Sequence, residues 1–504
     1  MNKGGLERRL RAPKAFELIK TAEEAAEIVR DGMVIGASGF TPSGYPKAVP
    51  LAIAARAAQA NENARFQLSL YSGASVGPEI DGAWVDAGIL KKRLPYHTDE
   101  KIRNSINNGT VEYVDLHLSH STQYVNYGFL PKIDIAIVEA LAITENGDLI
   151  PTSGIGNTPA FVKQADKVIV EVNLLKPMEL EGMADIYVTE NPPNRKPIPI
   201  LHTSDRIGTP WIECGFDKIA AIVLTEMQDQ TRPLAEAGST EKQISKNIIR
   251  FLSDEVKSGR LTKNLLPLQS GIGSVANAVF YGLCESEFEG ITCYTEVVQD
   301  SMLALLRTGK ATAASTTAVS LSPDALTRFE KEIAFFREKI ILRPQEISNS
   351  PEVARRLGVI AMNTAIEADI YGNINSTHIM GSKIMNGVGG SGDFARNGYI
   401  TIFATASTAK NGAISSIVPM VSHVDHTEHD TMVIVTEQGY ADLRGLSPKE
   451  RAVKIMENCA HPDYKEKLFA YYGRALQSGP KHTPHILEEA LSWHIAFQKN
   501  GSML

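Results

Sequence analysis

Apolar residues in this chain come in short runs broken by glycine, proline and polar turns, and the runs alternate with helical patterns along most of its length. Thr21-Ala-Glu-Glu24 is a capping box and predicts a helix running to about Arg30. Met33–Gly36 then reads as a buried strand that leads into Gly36-Ala-Ser-Gly-Phe-Thr-Pro-Ser-Gly-Tyr-Pro46. An Ala-rich helix follows at about Val49 to Ala58, and a second strand at Phe66–Leu70. Further strands are expected at Ile133–Val138, Val168–Val172, Ile219–Leu224, Ile400–Ala404 and Val433–Thr436. Strands alternating with helices predict an α/β fold with a largely parallel sheet.

The Pro-rich piece from Asn191 to Pro199 reads as a surface excursion. From Glu226 to about Lys246 the chain turns polar, and a domain boundary is placed there, giving domains 1–230 and 231–504. Ser153-Gly-Ile-Gly156 echoes Ser270-Gly-Ile-Gly273. The echo fits two related open-sheet α/β domains, each with a glycine turn at strand ends, where ligands bind in such sheets.

Length supports this division, since 504 residues exceed what one hydrophobic core usually serves. With 43% apolar and 22% charged residues the chain has the material for a folded core. A net charge of -7 leaves no basic footprint for nucleic acid or an anionic membrane. Cys214, Cys284, Cys293 and Cys459 form no Cys-x-x-Cys pair, as expected of reduced, structural thiols. The N-terminal residues lack an apolar signal core, and no apolar run is long enough to span a bilayer. The expected location is the cytoplasm.

Glu296 carries the candidate chemistry. It sits in the apolar run Ile291-Thr-Cys-Tyr-Thr-Glu-Val-Val298, after the glycine turn Gln269–Gly273 and a helix. Two chemistries stay open on this pattern. Gly271-x-Gly273-x-x-Ala276 satisfies the dinucleotide fingerprint, with Glu296 lying 23 residues beyond Gly273, near the spacing of a ribose-binding acid. That reading makes a dinucleotide-dependent oxidoreductase. Alternatively, Glu296 is itself a nucleophile. Glu139, Glu171 and Glu437 occupy similar apolar strands. Buried carboxylates are costly without partners, so all four are candidates and the pattern does not choose among them.

Asn386-Gly-Val-Gly-Gly-Ser-Gly-Asp-Phe394 is dense in glycine, so its backbone amides can approach a ligand closely. Asn349 precedes Ser350-Pro351, an N-cap and first helical residue. Lys410-Asn-Gly412 reads as a hairpin tip. His423-Val-Asp-His-Thr-Glu-His-Asp430 matches neither a zinc helix motif nor a calcium loop, and no metal is assigned. No Gly-x-x-x-x-Gly-Lys-Ser/Thr occurs, which disfavours a P-loop kinase or ligase.

Taken together, these segments resemble class I coenzyme A transferases of the acetyl-CoA hydrolase/transferase branch. The resemblance runs nearly end to end. Besides Gly36–Pro46 and Leu268–Ala278 it includes Tyr294-Thr-Glu-Val-Val-Gln-Asp300, Ile370-Tyr-Gly-Asn-Ile-Asn-Ser-Thr377, Met385–Arg396 and Val435-Thr-Glu-Gln-Gly-Tyr-Ala-Asp-Leu-Arg-Gly445. It implies two related α/β domains with the active site between them, usually as a homodimer. It further implies that Glu296 is the nucleophile and that Gln269, Ser270, Gly271, Ile272 and Gly273 contact the thioester end of coenzyme A and help stabilise oxyanions. Asn349 and Gly390 match polar groups around the reacting carboxylates, and Ile366, Asn386, Gly390 and Lys410 match positions that contact CoA. The activity implied is transfer of CoA between succinyl-CoA and acetate, with acetyl-CoA hydrolysis or propionyl-CoA:succinate transfer as alternatives. CoA then serves as substrate and covalent intermediate, and no permanently bound cofactor is expected.

Overall fold

Val34–Ala37 (β1) is buried at every position and forms the middle of a seven-stranded sheet. Leu68–Tyr71 (β2), Leu90–Leu94 (β3) and Glu112–Tyr113 (β4) flank it on one side. Ile135–Ala140 (β5), Lys167–Asn173 (β6) and Ile219–Thr225 (β7) flank it on the other, in the order β4-β3-β2-β1-β5-β6-β7. All six pairings are parallel. Strand order therefore reverses between β1 and β5, and a crevice outside the carboxyl ends of these strands is where open α/β sheets bind ligands. The helix Ala48–Gln59 buries Val49, Ile53, Ala54 and Ala57 in the core formed with Ile35, Leu68, Leu70, Ile135 and Ile137. The capping box at Thr21 is present, and its helix, Ala22–Ala26, is shorter than the expected run to Arg30.

This computed structural model describes residues 3–59, 66–230 and 236–504. They fold as two compact units. The first comprises Met1–Pro233, Cys293–Asp300 and Ala313–Val353, and the second comprises Leu234–Thr292, Ser301–Thr312 and Ala354–Leu504. The boundary expected at 230/231 adjoins residues 231–235, which lie outside the described residues. Chain order alone assigns Glu296 to the C-terminal domain, whereas packing assigns it to the first unit. The cause is apolar: Val297 and Ala318 are buried in one cluster with Phe40, Ala74 and Leu118.

In the second unit Leu268–Ser270 (β8), Ile360–Thr364 (β9), Ile400–Ala404 (β10) and Val433–Val435 (β11) pair in parallel, and Tyr440–Asp442 (β12) adds an antiparallel strand. The stretch read as a polar boundary runs into a 19-residue helix, Ser239–Lys257. Its Ile244, Ile248, Phe251 and Leu252 are buried at helical spacing, and that stripe outweighs the polar residues between. A core of Ile370, Ile374, Phe403, Ile417, Ile434 and Leu468 lies between the strands and the C-terminal helices. Among the described residues no helix is long and apolar enough to cross a membrane.

Candidate active site

The four strand carboxylates separate once their partners are known. Glu139 accepts hydrogen bonds from buried Lys47 (2.6 Å), Thr152 (2.8 Å) and Asn173 (2.8 Å). Glu171 accepts three backbone N–H groups, of Lys47, Ala48 and Val49, at the start of the helix Ala48–Gln59. Glu437 accepts the Ser407 amide at 2.8 Å and the Ser407 hydroxyl, which holds its carboxyl below the ordinary value against the penalty of burial. Each of these three accepts two or more hydrogen bonds.

Glu296 differs. Among the described residues its carboxylate receives one hydrogen bond, from Asn349 Nδ2 to Oε1 at 2.5 Å, and it forms no ion pair. The side chain retains partial exposure, but the protein packed around the carboxyl raises its pKa to about 7, with the Asn349 hydrogen bond opposing that shift. Desolvation disfavours the charged form and a donor favours it. A carboxylate held lightly in this way is more available to attack than one locked to a cation.

Backbone and side chains around Glu296 set its position. Its carbonyl accepts Thr317 N–H (3.0 Å), Ala318 N–H (3.2 Å) and the Thr316 hydroxyl (2.8 Å). The next residues, Val297–Val298, pair in parallel with Ala318–Val319. That second segment is gripped by the glycine turn Ser153–Gly156: Val319 N–H donates to Ser153 O and Ile155 N–H to Thr317 O, both at 2.9 Å, and Gly156 N–H donates to Thr317 Oγ1 at 3.0 Å. A Cβ at Gly154 would lie 2.2 Å from Ser43 O, so this turn and the Gly39–Tyr45 loop after β1 meet backbone to backbone. Glu296 is thereby held near the β1/β5 reversal of the first sheet.

Asn349 is fully buried at the C-terminal end of the short helix Gln345–Ser348. The buried Tyr294 hydroxyl donates to Ile347 O, tying the strand before Glu296 to the helix before Asn349. Ser350 caps the following helix through Val353 N–H, at 3.4 Å, as its sequence suggests.

The other sequence candidates lie in the second unit. Gln269 is fully buried, and its amide is fixed by Asn363 and by Met362 N–H. Ser270 is buried, while Ile272 is 45% exposed. Gly273 has φ +133°, and it precedes the helix Ser274–Cys284. Ile366 donates its N–H to Asn375 O and Met385 donates its N–H to Thr377 O, so the segment 375–377 joins the surroundings of Ile366 and Asn386. Asn386 Nδ2 donates to Gly387 O at 2.9 Å. Gly390 is buried and precedes the short helix Ser391–Ala395. Lys410 is exposed at the tip of a hairpin, with φ +49°, its ammonium 5.1 Å from the Phe497 ring centre.

One residue escaped the sequence reading. Tyr96 packs on the cluster of Phe40, Ala74, Leu118, Val297 and Ala318. Burial first, and then the charge of Glu296, push its phenol up to about 12. Tyr96 follows strand β3, whose Leu-Lys-Lys-Arg-Leu pattern carries no sign of a site.

Comparison with known proteins fits this geometry. Family models of the acetyl-CoA hydrolase/transferase N-terminal and C-terminal domains match residues 5–224 and 328–472. The chain is 61% identical over 497 residues to the succinyl-CoA:acetate CoA-transferase of Clostridium kluyveri, covering 99% of this chain and 92% of that protein. It is 45% identical to the propanoyl-CoA:succinate CoA transferase of Escherichia coli, covering 96% and 98%. It is 42% identical to an acetyl-CoA hydrolase of Candida glabrata, covering 99% and 97%. Among solved structures, RipA from Yersinia pestis superposes with a TM-score of 0.70 at 22% identity, covering 92% of this chain and 98% of that one. A 4-hydroxybutyrate CoA-transferase from Porphyromonas gingivalis superposes with a TM-score of 0.62 at 18% identity, covering 93% and 98%. These two share the fold.

Proposed function

The chain belongs to the acetyl-CoA hydrolase/transferase family, and from that premise we propose that it moves CoA between succinyl-CoA and acetate with Glu296 as the covalent nucleophile. The observation that carries the role of Glu296 is its lightly held carboxylate, with one amide donor and no cation among the described residues.

In this reading the Glu296 carboxylate attacks the acyl-CoA carbonyl, and collapse of the tetrahedral species expels CoA thiolate and leaves an acyl-glutamyl anhydride. The thiolate then attacks the Glu296 carbonyl carbon. The first carboxylate leaves and a glutamyl-CoA thioester remains. The acceptor carboxylate runs the same two steps in reverse, so the thioester bond is conserved and no net proton or water is consumed. Asn349 steadies the attacking carboxylate, and Gln269–Gly273 with Gly390 supply the amide-rich turns suited to oxyanions and the thioester end of CoA. One well-placed donor of that kind is worth about 3–4 kcal/mol. Ile366, Asn386 and Lys410 are assigned to the rest of CoA, whose binding away from the reacting bond helps to drive formation of the anhydride. The dinucleotide fingerprint at Gly271–Ala276 then serves a CoA-binding turn. The enzyme is read as a cytoplasmic homodimer, and light scattering on the purified chain tests the dimer.

Mixing the enzyme with succinyl-CoA, reducing with borohydride and mapping peptides tests the mechanism. A modification at Glu296 is expected. Turnover with Glu296 unmodified, or full activity in Glu296→Ala, overturns it. The acetyl-CoA hydrolase of C. glabrata favours a second reading, in which water takes the place of the acceptor acid. Steady release of free CoA thiol from acetyl-CoA with no acceptor acid present would select it.

A further inference from the structure

His423 and Asp425 stand in a polar motif to which the proposed mechanism gives no role, and folding adds a third metal-ligating group to them. His378 begins the strand His378–Ile379, which pairs antiparallel with Lys383–Ile384. One donor atom from each of His378, His423 and Asp425 lies within 4.8 Å of the others. We propose that these three side chains bind a single divalent transition-metal ion of the zinc type.

The surroundings prepare the ligands. Ile374 and His426 exchange backbone hydrogen bonds, at 2.8 and 3.1 Å, and Asp425 N–H also donates to Ile374 O at 2.9 Å, so the two segments that bear the ligands are locked together. The Asp425 carboxylate is oriented by Ser376 N–H at 2.6 Å and by the Thr377 hydroxyl, 2.9 Å from both oxygens. Thr377 has one hydroxyl proton, and a carboxylate only accepts, so that proton belongs to Asp425. His378 Nδ1, 2.6 Å from the same hydroxyl oxygen, is then the donor, and the tautomer leaves the lone pair on Nε2. A hydroxyl relaying a carboxylate to an imidazole N–H is the kind of outer support that metal-bound histidines receive.

His423 Nε2 lies 3.3 Å from Asp425 Oδ1, close to the separation of two ligands on one ion. The His378 and His423 ring centres are 3.8 Å apart. Ligands on a tetrahedral zinc ion at about 2.0–2.1 Å sit roughly 3.3 Å from one another, so the widest pair here closes through a small side-chain rotation. Two imidazoles and a carboxylate suit a borderline ion such as zinc better than calcium or magnesium, which take all-oxygen sets. The fourth position is left to water. The same segment reaches the glycine-rich loop, because His426 Nε2 is 3.0 Å from Ser391 Oγ, which donates to Val388 O at 2.8 Å.

The test uses the full-length, tag-free protein after chelator treatment, titrated calorimetrically with Zn2+ and spectroscopically with Co2+. One equivalent of Zn2+ per chain and visible Co2+ d–d bands are expected, with affinity reduced at least tenfold in His423→Ala and in Asp425→Asn. Thr377→Val, which removes no ligand, should weaken binding about 10-fold by freeing the His378 tautomer, and it serves if the ligand variants fail to fold. Absence of stoichiometric Zn2+ binding, or equal affinity in wild type and all three variants, overturns the proposal.

Discussion

A carboxylate whose pKa lies near 7 is both a nucleophile in reserve and a cost to the fold, and Glu296 is both. Its folded pKa is raised above the ordinary 4.5, so between these values the native state binds more protons than the unfolded state. Stability contributed by the group therefore falls as pH rises from 4.5 through 7. Glu296→Gln removes that loss, and its thermal midpoint relative to wild type should climb from pH 5 to pH 8, as calorimetry at the two pH values would register. A midpoint difference that stays flat with pH would contradict a desolvated carboxyl. Catalysis follows the opposite sign, since the attacking form is the ionised one. The acid limb of kcat/KM is expected near pH 7. Asn349→Ala removes the donor that favours the anion, so the limb should move to higher pH while kcat/KM drops roughly 10–100-fold, the value of a hydrogen bond to a charged group. Sequence placed Glu296 among four equivalent candidates. Partners told them apart, and partners come from residues as distant as Lys47, Asn349 and Ser407.

At the scale of elements, the segment after Glu296 is positioned by loops rather than by the main sheet. Ser153–Gly156 grips Thr317–Val319 while its own Gly154 touches the Gly39–Tyr45 loop. A Cβ at residue 154 would have to displace Ser43 backbone, not a flexible side-chain tip. Gly154→Ala should cost about 1–3 kcal/mol, the usual range for overpacking, readable by urea unfolding, and should lower transferase activity because Thr317 carries the Glu296 carbonyl. Unchanged unfolding would mean that the two loops yield freely. The elements themselves were largely legible. Strands β1, β5, β6 and β7 lie within two residues of their expected bounds because they are mostly apolar and largely buried, broken inside only by Glu139 in β5 and Glu171 in β6. Strand β3 was not, since its buried Arg93, paired with Asp81 at 2.7 Å, reads as polar until its partner is seen. The repeated Ser-Gly-Ile-Gly string also divides by context. One copy follows a strand outside the main sheet and has φ +53° at Gly156; the other follows β8 and has φ +133° at Gly273.

At the scale of the whole molecule, the two compact units are interleaved along the chain, and the residues bearing Glu296 and Asn349 return to the first unit after the second has begun. A cut near residue 230 should therefore not release two independent domains. Residues 1–230 alone lack Val297 and Ala318 from the cluster of Phe40, Ala74 and Leu118. Separate expression of 1–230 and 236–504 should yield aggregates or chains without cooperative unfolding, checked by solubility and thermal melts. A soluble, cooperatively melting 1–230 fragment would refute this. The interleaving also sets a timetable for synthesis. Strand β7 leaves the ribosome with the first sheet already complete, but the segment bearing Val297 and Ala318 emerges roughly ten seconds later at elongation rates of about 5–20 residues per second. Through that interval Phe40, Ala74 and Leu118 wait uncovered on the nascent chain, an apolar patch for a chaperone to hold, and the nucleophile reaches its place only when most of the protein has been made.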